Sequence, residues 1–378
     1  MAKELATTRR VFYINHPYSL KDVVSGWRQD AALRQRLPRL LTGRMQYEYL
    51  ESIPNNFIAV QPPLILPINW LPKGRIYNFF QRINNGIILR TIRRVIRDHE
   101  IKDFVFINCY DPFYAGWLPA SFGAKASIYH CIDDITQNAY TDKHGTDLEN
   151  EAARQADITL VTSTNLKKLK APYARRIETY FNAADVAIFE KVRTEKYPRP
   201  AELDGHTGKV IGFVGNLDEL RIDYPLLKKV ALAHPDKTML LVGPVNSLEP
   251  AAIGLDRLPN VIFAGSRKIA DLPPLLQHMD CTLIPFLCNT LTNSIYPLKI
   301  NEYLAAGKPV VTTSFSDDIR TFSDCTYIAA SQEEFIRQVE AAVQENDPAA
   351  VQRRVDRANG NTWAARIGEL WRLVDGMG

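Results

Sequence analysis

Short apolar runs alternate with longer amphipathic stretches along most of this chain. "RVFYIN" (10–15), "NFIAVQPP" (56–63), "DFVFINC" (103–109), "ASIYHCID" (126–133), "ITLVTS" (158–163) and "RIETYFN" (176–182) have the length and β-branched or aromatic content of strands. Between them, "YNFFQRINNGIILRTIRRVIRDHE" (77–100) repeats its apolar residues at helical spacing. "GTDLENEAARQAD" (145–157) predicts a helix that starts at Thr146 as N-cap, with Glu149 three residues on completing a capping box. A polar stretch follows, "EKVRTEKYPRPAELDGHTGK" (190–209), whose charge, prolines and glycines predict an interdomain linker. A second series then begins: "VIGFVGNL" (210–217), "TMLLVGP" (238–244), "NVIFAGS" (260–266), "CTLIPF" (281–286) and "KPVVTTS" (308–314). Near-continuous apolar strands of this kind imply parallel sheets covered on both faces. A helix is expected near Asp223, and an amphipathic one over 361–377.

The pattern therefore predicts an α/β chain of two doubly wound domains. The first spans 1–190 and the second 210–360, with a linker at 191–209 and the 361–378 helix packing back on the first. Ligands of such sheets bind beyond the carboxyl ends of the strands, and a cleft between the domains is the expected site. At 378 residues the chain is long enough for two cores. A net charge of +4 suits anionic small molecules or an anionic membrane face, and is too small to argue for nucleic acid. The five cysteines, Cys109, Cys131, Cys281, Cys288 and Cys325, form no C-x-x-C pair and are expected as buried, reduced thiols. The N-terminus lacks the apolar segment of a signal peptide, and no stretch reaches the ~18 apolar residues of a span. The expected location is cytoplasmic, peripheral to the inner face of the membrane.

Three strand ends carry glycine: Gly215, Gly243 and Gly265. Gly215 and Asn216 precede a helix, so backbone N–H groups there can meet a phosphate; a tight turn would use the same residues. Neither a G-x-G-x-x-G fingerprint nor a G-x-x-x-x-G-K-[ST] loop follows a strand, which disfavours NAD and P-loop nucleotide binding. The stretch "YPLKINEYLAAGKPVV" (296–311) is more specific. Lys299 and Glu302 stand at i, i+3 on one helical face, just after Pro297 and Leu298. A helix N-terminus and an ammonium together favour a diphosphate, and a carboxylate one turn on can accept from vicinal ribose hydroxyls. The competing reading is a solvated ion pair, worth a few tenths of a kcal/mol.

The segments "IGFVGNLDELRIDYPLLKKVALAHPDKTMLLVGPV" (211–245), "VIFAGSRKIADLPPLLQHMDCTLIPF" (261–286) and "PLKINEYLAAGKPVV" (297–311) resemble the nucleotide-sugar-dependent glycosyltransferases of GT-B fold. "YFNAADVAIFEK" (180–191) resembles that family's link into its second domain, keeping Asn182, Asp185 and Phe189. Tyr129-x-Cys131-x-Asp133-Asp134 is similar to an element of bacterial exopolysaccharide, teichuronic-acid and glucuronosyl-type transferases. The resemblance implies two Rossmann-like domains facing each other across a cleft. It implies an enzyme, a hexosyltransferase-like glycosyltransferase, with Lys299 on the donor diphosphate and Glu302 on its ribose. The backbone of Arg267, Lys268 and Ile269 would meet the base, and Gly215 and Asn216 would border the sugar pyrophosphate. The donor is expected to be a nucleotide sugar, UDP-linked before GDP-linked, and the acceptor a hydroxyl of a glycan or lipid-linked glycan. Many retaining members carry E-x7-E, and the first position here is Ser294, which favours inversion. Inversion needs a base, and Asp133 and Asp134 at a strand end suit it, Asp134 preferred; a helix cap with a structural ion pair is the competing reading. His16 and Asp111 end the first and a later strand and are expected on the acceptor side, with Glu151 structural and His130 buried. No spacing suggests a metal site and no cofactor is expected. A retaining transferase and a non-catalytic nucleotide-sugar-binding scaffold remain as alternatives.

One surface stretch bears on partners. Residues 69–97 carry Lys73, Arg75, Arg82, Arg90, Arg93, Arg94 and Arg97 with Trp70, Phe79 and Phe80. A basic, aromatic helix can rest on an anionic membrane; a core-facing helix with a solvated basic back is the equal alternative, and nucleic acid the poorest.

Overall fold

The computed structural model describes residues 1–26, 31–51, 53–137 and 139–377. The chain divides into two compact units. The N-terminal unit comprises Met1–Val161, Leu166–Thr179 and Ile367–Gly378, and the C-terminal unit Thr162–Asn165 and Tyr180–Arg366.

In the N-terminal unit β1 (Val11–Ile14), β2 (Gln46–Tyr49) and β3 (Phe57–Gln61) form one sheet in the order β1-β3-β2, with β2 antiparallel. β4 (Val105–Cys109), β5 (Ala126–Cys131), β6 (Ile158–Val161) and β7 (Ile177–Thr179) form a second, parallel throughout. The sequence pattern did not foresee β2, whose polar residues are only half buried. The Arg75–Asp98 helix turns Ile88, Ile92 and Val95 inward, where Ile88 and Ile92 join a cluster with Ile65, Leu118 and Phe122.

The C-terminal unit holds β8 (Val210–Val214), β9 (Thr238–Val242), β10 (Val261–Gly265), β11 (Cys281–Ile284), β12 (Val310–Thr313) and β13 (Tyr327–Ala329). They make one parallel sheet in the order β10-β9-β8-β11-β12-β13. The order reverses between β8 and β11, and a doubly wound sheet binds its ligand in the crevice at such a switch point. β8, β9 and β11 are buried at every residue, as near-continuous apolar runs require. The expected helix near Asp223 is Tyr224–Ala233, and the Asp223 carboxylate caps it by accepting from Leu226 N at 2.8 Å.

Three expectations need correction. The stretch expected as a linker, 191–209, belongs to the C-terminal unit: its Val192 and Leu203 are buried in that core together with Phe189 just before it, and Val186–Thr194 is helical. The first switch between units instead brackets Thr162–Asn165, where Thr164 donates to the buried Asp318 and Asn165 to Ser294. The helix expected to start at Thr146 runs from Ala139 to Gln155. Gly145 lies inside it because a Cβ there would come within 2.7 Å of Ile135 and 3.0 Å of Phe113. Thr146 bonds Asp142 one turn back rather than capping. Among the cysteines, Cys131, Cys281 and Cys325 are buried but Cys109 and Cys288 are exposed; all five are free thiols.

Candidate functional site

The carboxyl end of the C-terminal sheet gathers most of the residues singled out above. Gly215 N donates to Val242 O at 2.9 Å, and Gly243 N to Gly265 O at 2.9 Å, so the three strand-end glycines sit side by side. Gly243 adopts φ +146°, and a Cβ there would fall 1.7 Å from Gly215 O. Only glycine fits this seam. Beyond it, Asn216 accepts from Asn246 at 3.0 Å, tying the loops after β8 and β9 together.

The Leu298–Ala305 helix starts beside that edge. Its N-cap is Pro297, which makes no side-chain cap bond to the positive end of the helix dipole. Tyr303 fixes the helix to the sheet: its hydroxyl accepts from Val214 N at 2.8 Å and donates to Val214 O at 3.3 Å. Tyr303 was missed in the sequence, where it reads as one more apolar position of the helix. Lys299 Nζ lies 2.7 Å from Glu302 Oε2. The pair is not the solvated surface bridge of the competing reading, because the Glu302 side chain is 4% exposed and that of Lys299 27%. Burial raises the Glu302 pKa and the Lys299 ammonium opposes that rise. Asn301, between them, is fully buried and bonds Asn182 O, Tyr296 and Asn361.

The remaining donor-side candidates lie on the same edge of the unit. After β10, Arg267 pairs with Glu202 and donates to Ser266 O, so its guanidinium is engaged within the unit. Lys268 leads into a short 3-10 turn at Ile269–Asp271, and Ile269 and Leu298 are apolar side chains left exposed. Ser294 is 1% exposed and accepts from Asn165 Nδ2 at 2.9 Å. That position is a buried, hydrogen-bonded hydroxyl and supplies no carboxylate.

In the N-terminal unit the two carboxylates of the Asp133–Asp134 pair differ. Asp134 is buried, and both its oxygens are used locally: Oδ1 accepts from Thr136 N (3.1 Å) and Oγ1 (2.7 Å), Oδ2 from Gln137 Nε2 (3.1 Å). These bonds fit the competing reading of Asp134 as a turn cap. Asp133 is half buried, and its carbonyl accepts from the Cys131 thiol at 3.5 Å.

A different constellation emerges at the ends of β1 and β4. His16 Nδ1 lies 2.8 Å from Asp111 Oδ2, and the His16 ring meets Tyr114 edge-on at 5.3 Å. The hydrogen bond to Asp111 raises the His16 pKa against the opposing effect of burial. Asp111 is held in turn: Oδ1 accepts from Phe113 N, and Asp111 N donates to Asn108 Oδ1 at 3.0 Å. Asn108 also donates to Asp111 O (2.7 Å) and Gly116 O (3.2 Å), closing the loop around a side chain 7% exposed. Tyr110 and Ala115 in this loop take left-handed φ of 60° and 50°, a strained conformation for non-glycine residues. A histidine oriented through Nδ1 by a fixed carboxylate keeps Nε2 as a proton acceptor.

Glu151 pairs with Arg154 and Gln155 on the surface. His130 is buried, its Nδ1 3.7 Å from Cys109 Sγ, and burial lowers its pKa to about 4. A second buried cluster joins Glu149, which accepts from Tyr129 (2.9 Å) and Cys131 (3.2 Å) and pairs with Lys170. Among the described residues no group of three or more His, Cys, Asp or Glu could hold a metal ion, and no helix is long and apolar enough to cross a membrane.

The class that this architecture defines is the two-domain GT-B fold. The chain superposes on sucrose-phosphate synthase of Thermosynechococcus elongatus over 100% of its length and 92% of that chain, with TM-score 0.66 at 13% identity. It matches a UDP-forming α,α-trehalose-phosphate synthase of Burkholderia vietnamiensis with TM-score 0.67 at 11% identity, covering 97% and 99% of the two chains. Anabaena HepE, solved with UDP and glucose, matches with TM-score 0.59 at 15% identity over 98% and 99%. At the level of sequence, residues 208–345 match the family described as "Glycosyl transferases group 1". The chain is also 34% identical over 149 residues to a Bacillus subtilis (strain 168) protein named "Putative teichuronic acid biosynthesis glycosyltransferase TuaH". That match covers 39% of this chain and 36% of the relative, little more than a third of its length.

Proposed function

We propose that the protein is a glycosyltransferase that moves a sugar from a nucleotide diphosphate donor, UDP-linked, to a hydroxyl of a glycan or lipid-linked glycan in cell-surface polysaccharide synthesis. The observation that carries this reading is the Lys299–Glu302 pair on a helix start without a side-chain cap bond, at the carboxyl end of the sheet. In this reading the donor diphosphate takes the helix N-terminus and draws Lys299 onto its charge. The buried Glu302 then accepts from the ribose hydroxyls, and the bare backbone of the Gly215–Gly243 seam admits the pyrophosphate. Lysine and helix dipole supply the electrostatic support, so no cofactor or metal is called for. Two fold neighbours, one described as UDP-forming and one solved with UDP and glucose, support UDP as the nucleotide.

Transfer then proceeds by displacement with inversion. The acceptor oxygen attacks the anomeric carbon, the bond from that carbon to the diphosphate oxygen breaks, and the diphosphate leaves with both electrons. The acceptor proton goes to His16 Nε2, while Asp111 holds Nδ1 and stabilises the imidazolium. The buried hydroxyl of Ser294 in place of a carboxylate supports inversion. One fold neighbour argues for a second reading: a trehalose-6-phosphate synthase described as transferring glycosyl groups with retention. The anomeric configuration of the product, read by NMR, separates the two.

The test of the donor assignment is a panel of nucleotide sugars and UDP screened for thermal stabilisation, since a bound ligand raises the melting temperature by mass action. UDP and one UDP-sugar should stabilise the wild type, and Lys299→Ala should sharply reduce the shift at the same ligand concentration. A variant that responds like the wild type removes Lys299 from the site. UDP binding without turnover across an acceptor panel would mark a non-catalytic scaffold.

A further inference from the structure

The N-terminal unit carries an exposed apolar face that its own core does not use. The Arg75–Asp98 helix buries Tyr77, Asn84, Ile88, Thr91, Ile92 and Val95. Its outer face opens with Ile76, Phe79 and Ile83, which are 63%, 60% and 36% exposed. Their spacing, i, i+3, i+7, places them in one row. Trp70, just before the helix, is 73% exposed, and Tyr140 is 69% exposed.

These residues are held together. Asn69 Nδ2 donates to Tyr140 O at 3.0 Å and Lys143 Nζ to Trp70 O at 2.9 Å. The Tyr77 and His144 rings stack at 3.7 Å, joining the Arg75–Asp98 helix to the Ala139–Gln155 helix. Trp70 Nε1 already donates to Pro67 O at 2.8 Å. Its indole can therefore enter an apolar medium without stranding a donor.

Charge identifies what covers this face. Residues 69–97 hold seven cations and no Asp or Glu, against a whole-chain net of +4, so the rest of the chain is net negative. Arg75 and Arg82 are exposed beside the apolar row, and Lys73, also exposed, is paired with Asp147 at 2.6 Å. We propose that this face docks on an anionic lipid bilayer. Trp70, Ile76, Phe79 and Ile83 enter the interface, and Arg75 and Arg82 meet the lipid phosphates. A nucleic acid would use the cations but gain nothing from the two isoleucines. The inference is independent of the transferase reading.

The test is co-sedimentation of the full chain with vesicles of phosphatidylcholine alone and of phosphatidylcholine with phosphatidylglycerol. Binding is expected to the anionic vesicles, falling as salt rises. Ile76→Ser with Phe79→Ser, and separately Arg75→Glu with Arg82→Glu, should each lower the partition coefficient at least about tenfold. Lipids brominated along the acyl chain should quench wild-type fluorescence more than that of Trp70→Phe. Unchanged melting temperatures of the variants show that folding is intact. Failure to pellet with anionic vesicles at low salt, equal pelleting on neutral ones, or undiminished binding by both double variants would overturn the proposal. Retention on DNA without vesicle binding would overturn it too. A chain that binds vesicles but shows no UDP shift keeps this proposal and loses only the donor assignment.

Discussion

The donor end of the C-terminal unit and the His16 loop of the N-terminal unit are built in opposite ways. The first rests on regular elements: a fully buried β8, a helix bolted to it through Tyr303, and glycines whose positions are dictated by contact. Its charged pair is shielded, with Glu302 almost inaccessible. The second joins two loops: the one after β4, held by the side chain of Asn108 with strained backbone at Tyr110 and Ala115, and the one after β1, which carries the exposed His16. A rigid, buried seat suits recognition of a fixed group such as a diphosphate. A loop that projects an oriented but accessible imidazole suits proton transfer with a variable partner.

The largest effect should come from the loop. His16→Ala is expected to lower kcat by about 10²–10⁴-fold, the usual weight of a general base, while the UDP-induced melting shift stays intact. A loss of only a few-fold would return the role of base to the Asp133 neighbourhood. Next comes Lys299→Ala, which should weaken UDP by about ten- to a hundredfold in a titration, in line with a charge-assisted bond. Its kcat at saturating donor should fall less than that of the His16 variant; the reverse order would erase the division of labour between the two regions. Tyr303→Phe removes the acceptor for a buried backbone N–H and should cost about 1–3 kcal/mol in denaturant unfolding, with UDP affinity lowered as the helix loosens.

The smallest and sharpest test is a pH profile. Asp111 raises the His16 pKa above 6.5, so the neutral, proton-accepting ring is lost as pH falls through that raised value. The acidic limb of kcat/KM should therefore lie above 6.5 in the wild type and move down in Asp111→Asn. The stability contribution runs the other way: it is fully present below 6.5 and disappears as pH rises through the raised pKa. An acidic limb that does not move in Asp111→Asn would dissociate the pair from the chemistry.

The same contrast explains what could be read in advance. Lys299 and Glu302 stand three residues apart in one helix, and the strand-end glycines punctuate apolar runs, so both are visible locally. The helix start near Asp223 was legible for the same reason. His16 and Asp111 were each visible as strand-end residues, but their pairing joins positions 95 apart and has no local signature. Asp133–Asp134 left two readings open because an acidic pair after a strand serves a cap as well as a base. The signal that could have decided was close by, in Thr136 and Gln137, two and three residues on, ready to bond the first turn. The misplaced linker has a similar cause. Charge and proline masked Phe189, Val192 and Leu203, whose burial ties the stretch to the second core.

The contact between Gly243 and the Gly215 carbonyl has a consequence for how such a protein could change its preferences. Not one carbon atom can be added at that point, so the floor beneath the seat is closed to innovation. Leu220 and Leu248, both exposed on the loops that follow β8 and β9, have no such restriction. If the seat holds the proposed donor, new sugar tastes would be most cheaply acquired by rewriting those rims, leaving the grip on whatever is common to all donors untouched.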